Sequence, residues 1–239
     1  LQKATVVKEC EWNFAPTLAP TLAPTLAPTA GPGRRLAAPV FLLEGAEFTR
    51  GEDMLSENSR GAAMLYEGRI IVFGGVSRDY SSNWTPKATT EVLDLDTMSY
   101  SAGPNMLSAK YGFAAVRLDA GRVLLLGGRV GSSYTSSTEI AAGNLESLPD
   151  SLAFEAGPEM LEARFDHAAV ALDGDDQRVF VVGGLNNQGM YLSSTEILNA
   201  ETGAVESSGP NLQAARYGCA VVALGNSKYL VIGGLGTGS

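Results

Sequence analysis

The stretch "GRVLLLGG", residues Gly121–Gly128, ends an apolar run with two adjacent glycines, and the pattern occurs three more times. "RIIVFGG" ends at Gly75, "QRVFVVGG" at Gly184 and "KYLVIGG" at Gly234, so the second glycines lie 53, 56 and 50 residues apart. This spacing predicts a structural repeat of about 50 residues. The residues expected to mark the repeat are Gly74, Gly75, Gly127, Gly128, Gly183, Gly184, Gly233 and Gly234.

Three further features keep their order within the repeat. A Thr-Glu pair follows the first three glycine pairs, at Thr90-Glu91, Thr138-Glu139 and Thr195-Glu196. A Gly-Pro pair comes next, in "GPNML", "GPEML" and "GPNLQ". A basic-aromatic pair and a small apolar run then follow, in "AKYGFAAV", "ARFDHAAV" and "ARYGCAVV". The repeat is therefore defined by a whole series of features and not by the glycines alone.

Each repeat contains four short β-strand patterns. In the second repeat, Tyr111–Leu118 predicts the first strand and Arg122–Leu126 the second, joined by a tight turn. The third strand begins at the Thr-Glu pair, and the fourth ends at the Gly-Pro pair. Glycines are expected where the chain leaves the crowded sheet, because they permit close approach and positive φ. The sequence thus predicts an all-β fold of the β-propeller type, with one blade per repeat.

The repeat resembles the kelch repeat, in the form found in the central domain of galactose oxidase. The resemblance covers about residues 39–239 and rests on the double glycine, the Gly-Pro pair, "TTEVLDLDT" (Thr89–Thr97) and "RFDHA" (Arg164–Ala168). It implies a kelch-type β-propeller, a family whose members typically have five to seven blades.

The two ends of this region are half repeats. "PVFLLEGAEFTRGEDM" (Pro39–Met54) aligns without gaps to Glu91–Met106, the second half of a blade, and Asn211–Gly234 supplies the first two strands of another. Three complete blades lie between them. Either the two halves pair and close a four-bladed ring, or the chain is a fragment of a larger propeller, truncated at its C-terminus. The resemblance favours the fragment.

A proline-rich arm precedes the repeats. In "FAPTLAPTLAPTLAPTAGPG" (Phe14–Gly33) a proline recurs every fourth residue, which predicts a semi-rigid extended spacer. The threonines that follow the prolines are typical of O-glycosylated stalks, although an unmodified linker fits equally well. We therefore interpret residues 14–38 as a Pro/Thr-rich stalk or linker. Residues 1–13 are interpreted as the end of an upstream region or a processed N-terminus.

Composition excludes several classes of protein. The net charge of −9 argues against nucleic-acid binding, which needs clustered Lys and Arg. The two cysteines, Cys10 and Cys219, are too few for a disulfide scaffold. Apolar runs also fall well short of the ~20 residues that span a bilayer. We expect a monomer with no nucleic-acid partner and no membrane span.

The residues that suggest metal or redox chemistry have simpler explanations. The one histidine, His167, takes the place held by Phe113 and Cys219 in other repeats, so it is expected to pack in the core. The copper chemistry of galactose oxidase uses several histidines, so we do not expect it here. Asp173, Asp175 and Asp176 fall in a predicted turn and lack the glutamate spacing of a calcium loop. No catalytic residue, metal or cofactor is therefore predicted.

The charged residues that recur once per repeat are expected to be structural. Glu91, Glu139 and Glu196 occupy the same place in three repeats, as do Lys110, Arg164 and Arg216. We predict that these glutamates belong to the framework. The basic residues are expected to bond neighbouring backbone or acid groups between blades.

Binding residues are expected on the loops between second and third strands. These loops are 76–89, 129–137 and 185–194, and strand alternation places them on one face with the blade-to-blade connections. Their Tyr, Trp, Arg and Asn content is typical of recognition surfaces. For Tyr134 and Tyr191, packing on the blade is an equal alternative. The candidate binding residues are Arg78, Tyr80, Trp84, Arg129, Tyr134, Asn186, Asn187 and Tyr191.

The longest of these loops contains a glycosylation signal. "NWT" places an N-glycosylation acceptor at Asn83. Together with the Thr-Pro arm, it favours an extracellular or cell-surface setting over the cytosol.

The sequence as a whole predicts a non-catalytic interaction module that presents its loop face to a protein or glycan partner. The alternative is a fragment of a carbohydrate-active kelch propeller enzyme whose catalytic residues lie outside this chain. A third hypothesis, a cytosolic adaptor, predicts that Asn83 carries no glycan.

Overall fold

The computed structural model describes residues 39–44, 47–66, 68–78, 84–118, 121–143 and 149–236. Among these, side chains are described except at 39–52, 78, 175, 176 and 207. All of these residues belong to one compact unit, Arg35–Ser239. The predicted N-terminal region and the Pro/Thr-rich arm lie outside the described residues.

Three four-stranded antiparallel sheets form most of the described unit, and each follows the order of the chain. The first contains β3 (Ala62–Tyr66), β4 (Arg69–Phe73), β7 (Thr90–Asp94) and β8 (Ser99–Gly103). The second contains β9 (Ala114–Arg117), β10 (Val123–Leu126), β13 (Thr138–Ala142) and β14 (Ala153–Ala156). The third contains β15 (Ala168–Leu172), β16 (Asp175–Val182), β17 (Thr195–Asn199) and β18 (Val205–Ser208). The predicted all-β class and the four strands per repeat are confirmed.

The half repeats at the two ends form two-stranded sheets. β1 (Pro39–Glu44) pairs with β2 (Glu47–Asp53), and β19 (Arg216–Gly225) pairs with β20 (Lys228–Gly236). These hairpins are separate sheets, with no hydrogen-bonded ladder between them in the described residues. The strands that the structure describes do not close a barrel.

The loops between second and third strands carry short ladders of their own. β5 (Val76–Arg78) pairs with β6 (Trp84–Pro86), and β11 (Arg129–Val130) pairs with β12 (Ser133–Tyr134). In the third repeat the same place holds an isolated bridge between Leu185 and Tyr191. These ladders give the candidate loops a defined backbone geometry.

The sheets stack face to face in chain order. Their first strands contact one another in sequence, β3 with β9, β9 with β15 and β15 with β19. Side chains of neighbouring sheets form two apolar clusters, which exclude water and drive the stacking. The cluster between the first and second sheets includes Ile71, Phe73, Val92, Phe113, Val123 and Leu125, and the one between the second and third includes Leu124, Leu126, Ile140, Val179, Val181 and Leu198.

The glycine pairs lie where the chain leaves each sheet, close to the backbone of their own repeat and of the next one. Gly127 and Gly128 have φ of +60° and +97°, which side-chain-bearing residues rarely adopt. A Cβ on Gly128 would also lie 2.8 Å from the carbonyl oxygen of Tyr111, which is too close for a real contact. The predicted reason for the double glycine, unusual φ together with close approach, is confirmed.

None of the described residues forms a helix long and apolar enough to cross a membrane.

Candidate functional site

The candidate site lies at the end of the sheets that holds the glycine pairs. This end, which we call the loop face, contains the second-to-third loops and the segments that connect one sheet to the next. Of the predicted binding residues, Arg78 lies in β5 with its side chain outside the described residues. Tyr80 and the glycosylation acceptor Asn83 also lie outside them. The other six are described.

An aromatic cluster connects three successive repeats on this face. Trp84 stacks on Tyr111, with ring centroids 6.3 Å apart and planes 12° apart. Tyr111 meets Phe165 edge to face at 5.6 Å, and Phe165 stacks on Tyr134 at 4.9 Å. Tyr111 and Phe165 are buried and half-buried Tyr134 packs beside them, whereas Trp84 is 46 % exposed. The cluster is therefore a supported platform with one large aromatic ring at its surface.

Arg60 extends this platform with a cation. Its guanidinium carbon lies 5.8 Å from the centre of the Trp84 ring and 5.7 Å from that of Phe165, within cation–π range. Its Nη1 also donates to Oδ2 of Asp166 at 3.3 Å. This contact joins segments 106 residues apart, the one before β3 and the one before β15. Arg60 and Asp166 thus bring charge to the middle of the loop face.

The backbone at these two positions is unusual. Arg60 and Asp166 have φ of +55° and +49°, while Gly112 and Gly218, at the same place in the other repeats, both have +64°. The Gly112 amide donates to the Arg60 carbonyl at 3.0 Å, Asp166 to Gly112 at 2.8 Å and Gly218 to Asp166 at 2.7 Å. A non-glycine residue at positive φ costs about 1 kcal/mol or more, and such residues cluster at functional sites. Two repeats therefore carry charged side chains where glycine would be easier to accommodate.

A cavity of about 260 Å³ lies where these four turns meet. Burial raises the pKa of the Asp166 carboxyl, and the nearby Arg60 charge opposes that rise. The Asp166 carboxyl is therefore partly desolvated, whereas the Arg60 side chain is 47 % exposed. The lining residues are two from each repeat, Arg60, Gly61, Gly112, Phe113, Asp166, His167, Gly218 and Cys219.

His167 lies in the wall of this cavity as a packed side chain. It is 7 % exposed, and neither ring nitrogen has a hydrogen-bond partner. Burial, assisted by the positive charges of Arg164 and Lys110, lowers its pKa to about 3, so the imidazole is neutral at ordinary pH. Cys219 is half-buried at the same place in its own repeat, and burial raises the pKa of its thiol. Among the described residues no three His, Cys, Asp or Glu side chains are placed to hold a metal.

The recurrent glutamates are buried and hold the connecting segments. The Glu139 carboxylate accepts from the Leu107 amide at 2.8 Å and the Ser108 hydroxyl at 2.6 Å. Glu91 and Glu196 accept in the same way from the amides of Leu55 and Leu161, at 2.9 and 2.7 Å. These carboxylates are framework residues, as the sequence predicts.

The threonine before each glutamate has a matching role. The Thr138 hydroxyl donates to the carbonyl of Pro158 at 2.7 Å, and Thr90 and Thr195 make the same bond to the prolines of their own repeats. A Cβ on Gly157 would lie 2.4 Å from the Thr138 hydroxyl oxygen. The Thr-Glu and Gly-Pro pairs therefore recur together because they contact each other.

The recurrent basic residues belong to the same framework. Lys110 Nζ lies 3.1 Å from the Glu139 carboxylate, and Arg164 donates to Glu196 at 2.8 and 3.0 Å. Both side chains are buried, and burial lowers the pKa of Lys110 against the opposing effect of Glu139. Each side chain bonds within its own sheet. The backbone carbonyl of the same residue bonds to the preceding sheet, since the Gly75 amide donates to the Lys110 carbonyl at 2.9 Å. The predicted bonds to acid groups are present, but the contact between sheets is made by the backbone.

Two of the four remaining candidates, Asn186 and Arg129, bond within their own loops, and the other two contact a neighbouring repeat. The Asn186 side chain is buried and accepts from the amides of Gln188 and Met190 at 3.1 and 3.0 Å. Asn187 bonds the Tyr134 backbone in both directions, at 2.7 and 3.1 Å. Tyr191 packs on Tyr217 at 4.9 Å, and Arg129 donates to the Gly131 carbonyl at 3.2 Å. The structure thus brings Trp84, Tyr134 and Asn187 to the aromatic platform.

The acidic turn lies away from the loop face. Asp173 is a turn residue as predicted, whereas Asp175 and Asp176 begin β16 and extend the ladder past the turn. The Asp173 carboxylate accepts from the Ser227 amide at 3.1 Å, and its amide donates to the Tyr229 hydroxyl at 2.8 Å. Asp173 therefore contacts the last hairpin.

Sequence reasoning missed Arg60, Tyr111, Phe165 and Asp166. A signal for two of them exists in the aligned repeats, where one position holds Gly112 and Gly218 in two copies and Arg60 and Asp166 in the other two. A charged residue in a glycine position is unexpected for packing and would have drawn attention to the site.

No protein-family model matches the chain, and no curated protein is similar to it at a significant level.

Proposed function

We propose that residues 39–236 form a kelch-type β-propeller whose loop face is a non-catalytic binding surface for a protein or glycan partner. Three arrangements support the propeller: four-stranded antiparallel sheets in chain order, contacts between their first strands, and apolar clusters between neighbouring sheets. The fold alone does not imply a function, so the function rests on the site.

The observation that carries the proposal is the exposed Trp84 ring on its aromatic support. Trp and Arg dominate the energetics of binding surfaces, because they contribute large contact areas. Trp84 stacks on buried Tyr111 and lies beside Arg60, so a partner that covers it meets a pre-organised surface. Asp166 and the cavity that it lines offer further polar contacts beside this surface.

Binding is favoured over catalysis by the way the carboxylates are used. Glu139 and Glu196 are buried and bonded to the connecting segments and to Lys110 or Arg164. Asp166 is paired with Arg60. These acids hold the scaffold and the platform in place, which suits a rigid recognition surface.

The arm and the glycosylation signal complete the proposal. Residues 14–38 serve as a spacer that extends the reach of the loop face, and Asn83 carries a glycan in an extracellular or cell-surface setting. Asn83 precedes Trp84 directly, so a glycan there borders the platform.

The test is ligand selection with the full chain, from a glycan array and from a displayed random-peptide library. A ligand of the loop face should bind Trp84→Ala at least tenfold more weakly than the wild type. The matched control is Leu224→Ala, which removes a similarly exposed apolar side chain beside the β19–β20 turn, at the other end of the strands. Ligands that bind both variants like the wild type, or no ligand from either source, would contradict the proposal.

A further inference from the structure

The exposed apolar side chains of the described residues are concentrated on the loop face. Outside the β19–β20 hairpin there are seven large ones, and six of them lie in second-to-third loops or in segments that connect one sheet to the next. The seventh, Leu65, lies beside the β3–β4 turn at the opposite end. Single exposed apolar residues are normal, whereas their concentration on one face is typical of an interaction surface. The six are Leu55, Trp84, Leu107, Val130, Leu161 and Met190.

Three of these side chains occupy one place in the repeat. Leu55, Leu107 and Leu161 each follow a methionine in a connecting segment, and they are 55, 58 and 67 % exposed. Leu107 and Leu161 lie between complete four-stranded sheets, so their exposure does not depend on either end of the chain. The fourth repeat has Gln213 at this place, which indicates that the scaffold itself does not require an apolar side chain there.

The connecting segments hold these leucines in fixed positions. Between the first and second sheets, Met106 is buried in the apolar cluster, while the amide of Leu107 donates to the buried Glu139 carboxylate. The amide of Leu161 donates in the same way to Glu196. The backbone that carries the exposed side chains is therefore ordered before a partner arrives, which lowers the entropic cost of binding.

The chemistry of this surface favours a protein partner over a glycan. The isobutyl group of leucine has no atom that can hydrogen-bond to sugar hydroxyls, whereas covering it with an apolar side chain is favourable. The net charge of −9 opposes association with a second copy of the chain and favours a cationic partner. Glu159, which is exposed two residues before Leu161, adds a negative charge beside the apolar surface.

We propose that the loop face binds a protein segment with an apolar face and basic flanks, which covers Trp84, Leu107 and Leu161. The three side chains form the apolar centre of the interface, and Glu159 attracts a basic flank of the partner. This inference rests on the proposed function and narrows its partner from a protein or glycan to a cationic amphipathic segment.

The test is to select a displayed random-peptide library on the full chain and to probe a glycan array in parallel. We expect ligands from the library, rich in apolar residues and in Lys or Arg. Fluorescence anisotropy should show at least tenfold weaker binding of these peptides to the double variant Leu107→Gln/Leu161→Gln, because two apolar contacts are lost. Since the fourth repeat carries glutamine at this place, the fold should tolerate both changes.

Leu65→Gln is the matched control, because Leu65 is 59 % exposed at the opposite end of the sheets. This variant should bind the peptides within about twofold of the wild type, and urea unfolding should give both variants nearly the wild-type stability.

The possible failures separate the inference from the proposed function. Peptides that bind the double variant like the wild type, but bind Trp84→Ala more weakly, would overturn the inference and leave the loop-face function intact. Selection of glycans or acidic peptides alone, with the same sensitivity to Trp84→Ala, would do so too. Ligands insensitive to Trp84→Ala and to the double variant, or no ligand from either source, would overturn both.

Discussion

At residue 167 a histidine occupies the place that neighbouring repeats fill with Phe113 and Cys219. It is the single histidine of the chain, is almost fully buried and has a pKa lowered to about 3. Unfolding restores its pKa to about 6.5. Below that pH the unfolded chain therefore binds a proton at this residue, whereas the folded chain does not. The contribution of neutral His167 to the free energy of unfolding is fully present above pH 6.5 and is lost progressively as the pH falls toward 3.

His167→Phe should remove this pH dependence. We expect the wild type to lose about 1.4 kcal/mol of stability per pH unit from this group below pH 6.5, and about 2 kcal/mol by pH 5. Urea unfolding of both proteins at pH 7.5 and pH 5 measures the difference. If both lose the same stability between these pH values, His167 is not the buried neutral group that the structure shows.

Gly128 and Gly131 distinguish two reasons why a position requires glycine, a positive φ and a lack of space for a Cβ. Both have positive φ, +97° and +57°, but a Cβ on Gly128 meets the Tyr111 carbonyl whereas a Cβ on Gly131 meets nothing within 4 Å. Gly131→Ala should cost about 1 kcal/mol from φ alone, and Gly128→Ala about 3 kcal/mol or more from φ and overlap together. Chemical denaturation measures the free energy of unfolding of both variants. Equal losses of stability would show that the overlap at Gly128 is relieved without strain.

Residue patterns explain which positions were predictable. The sequence predicts the glycines and the Thr-Glu pairs because each repeat requires the same conformation at the same place. The residues that provide this conformation therefore recur periodically. Arg60 and Asp166 were missed because they depart from the repeat, in positions where Gly112 and Gly218 keep it. A periodic pattern identifies the residues that the repeats have in common, whereas Arg60 and Asp166 stand at a position where the repeats differ.

At the scale of elements, the segments that connect one sheet to the next are held by buried ion pairs. Lys110 and Glu139 form one such pair, 3.1 Å apart with both side chains almost fully buried. Removing one partner leaves the other charge buried and unpaired, which typically costs 3–5 kcal/mol. The connection before β9 thus depends on both residues.

A double-mutant cycle on Lys110→Ala and Glu139→Ala tests this dependence. Each single change should cost about 3 kcal/mol or more, and the double mutant should cost clearly less than the sum. The exposed pair Arg178–Glu206, 3.6 Å apart, is the control and should couple by less than about 1 kcal/mol. Equal coupling energies in the two cycles would refute a special role for the buried pair.

The strands themselves could be predicted from local patterns, while the platform could not. β10 and β13 follow from an apolar run before Gly127 and from the Thr-Glu pair, and the structure places both as predicted. The stack of Trp84, Tyr111, Phe165 and Tyr134 joins residues from three repeats, and no local pattern specifies which rings meet. Sequence reasoning identified the loops but not the buried rings that support them.

At the scale of the whole molecule, stacking of the sheets gathers one end of every repeat onto one face. Four turns meet around the cavity beside Arg60 and Asp166, and the second-to-third loops lie at the same end of the sheets. No single repeat contains this surface, because each of the four contributes two lining residues and the aromatic cluster joins three of them. Loss of the stacking should therefore abolish binding even when individual hairpins persist.

The most direct test of the loop face as the binding surface is hydrogen exchange of the full chain, with and without a selected ligand. We expect the ligand to slow exchange in peptides that cover 59–61, 84–87, 111–113 and 133–136, which surround the platform. Peptides that cover the opposite turns, at 173–174 and 226–227, should exchange at unchanged rates. Protection confined to those opposite turns, with none around Trp84 and Arg60, would contradict the account.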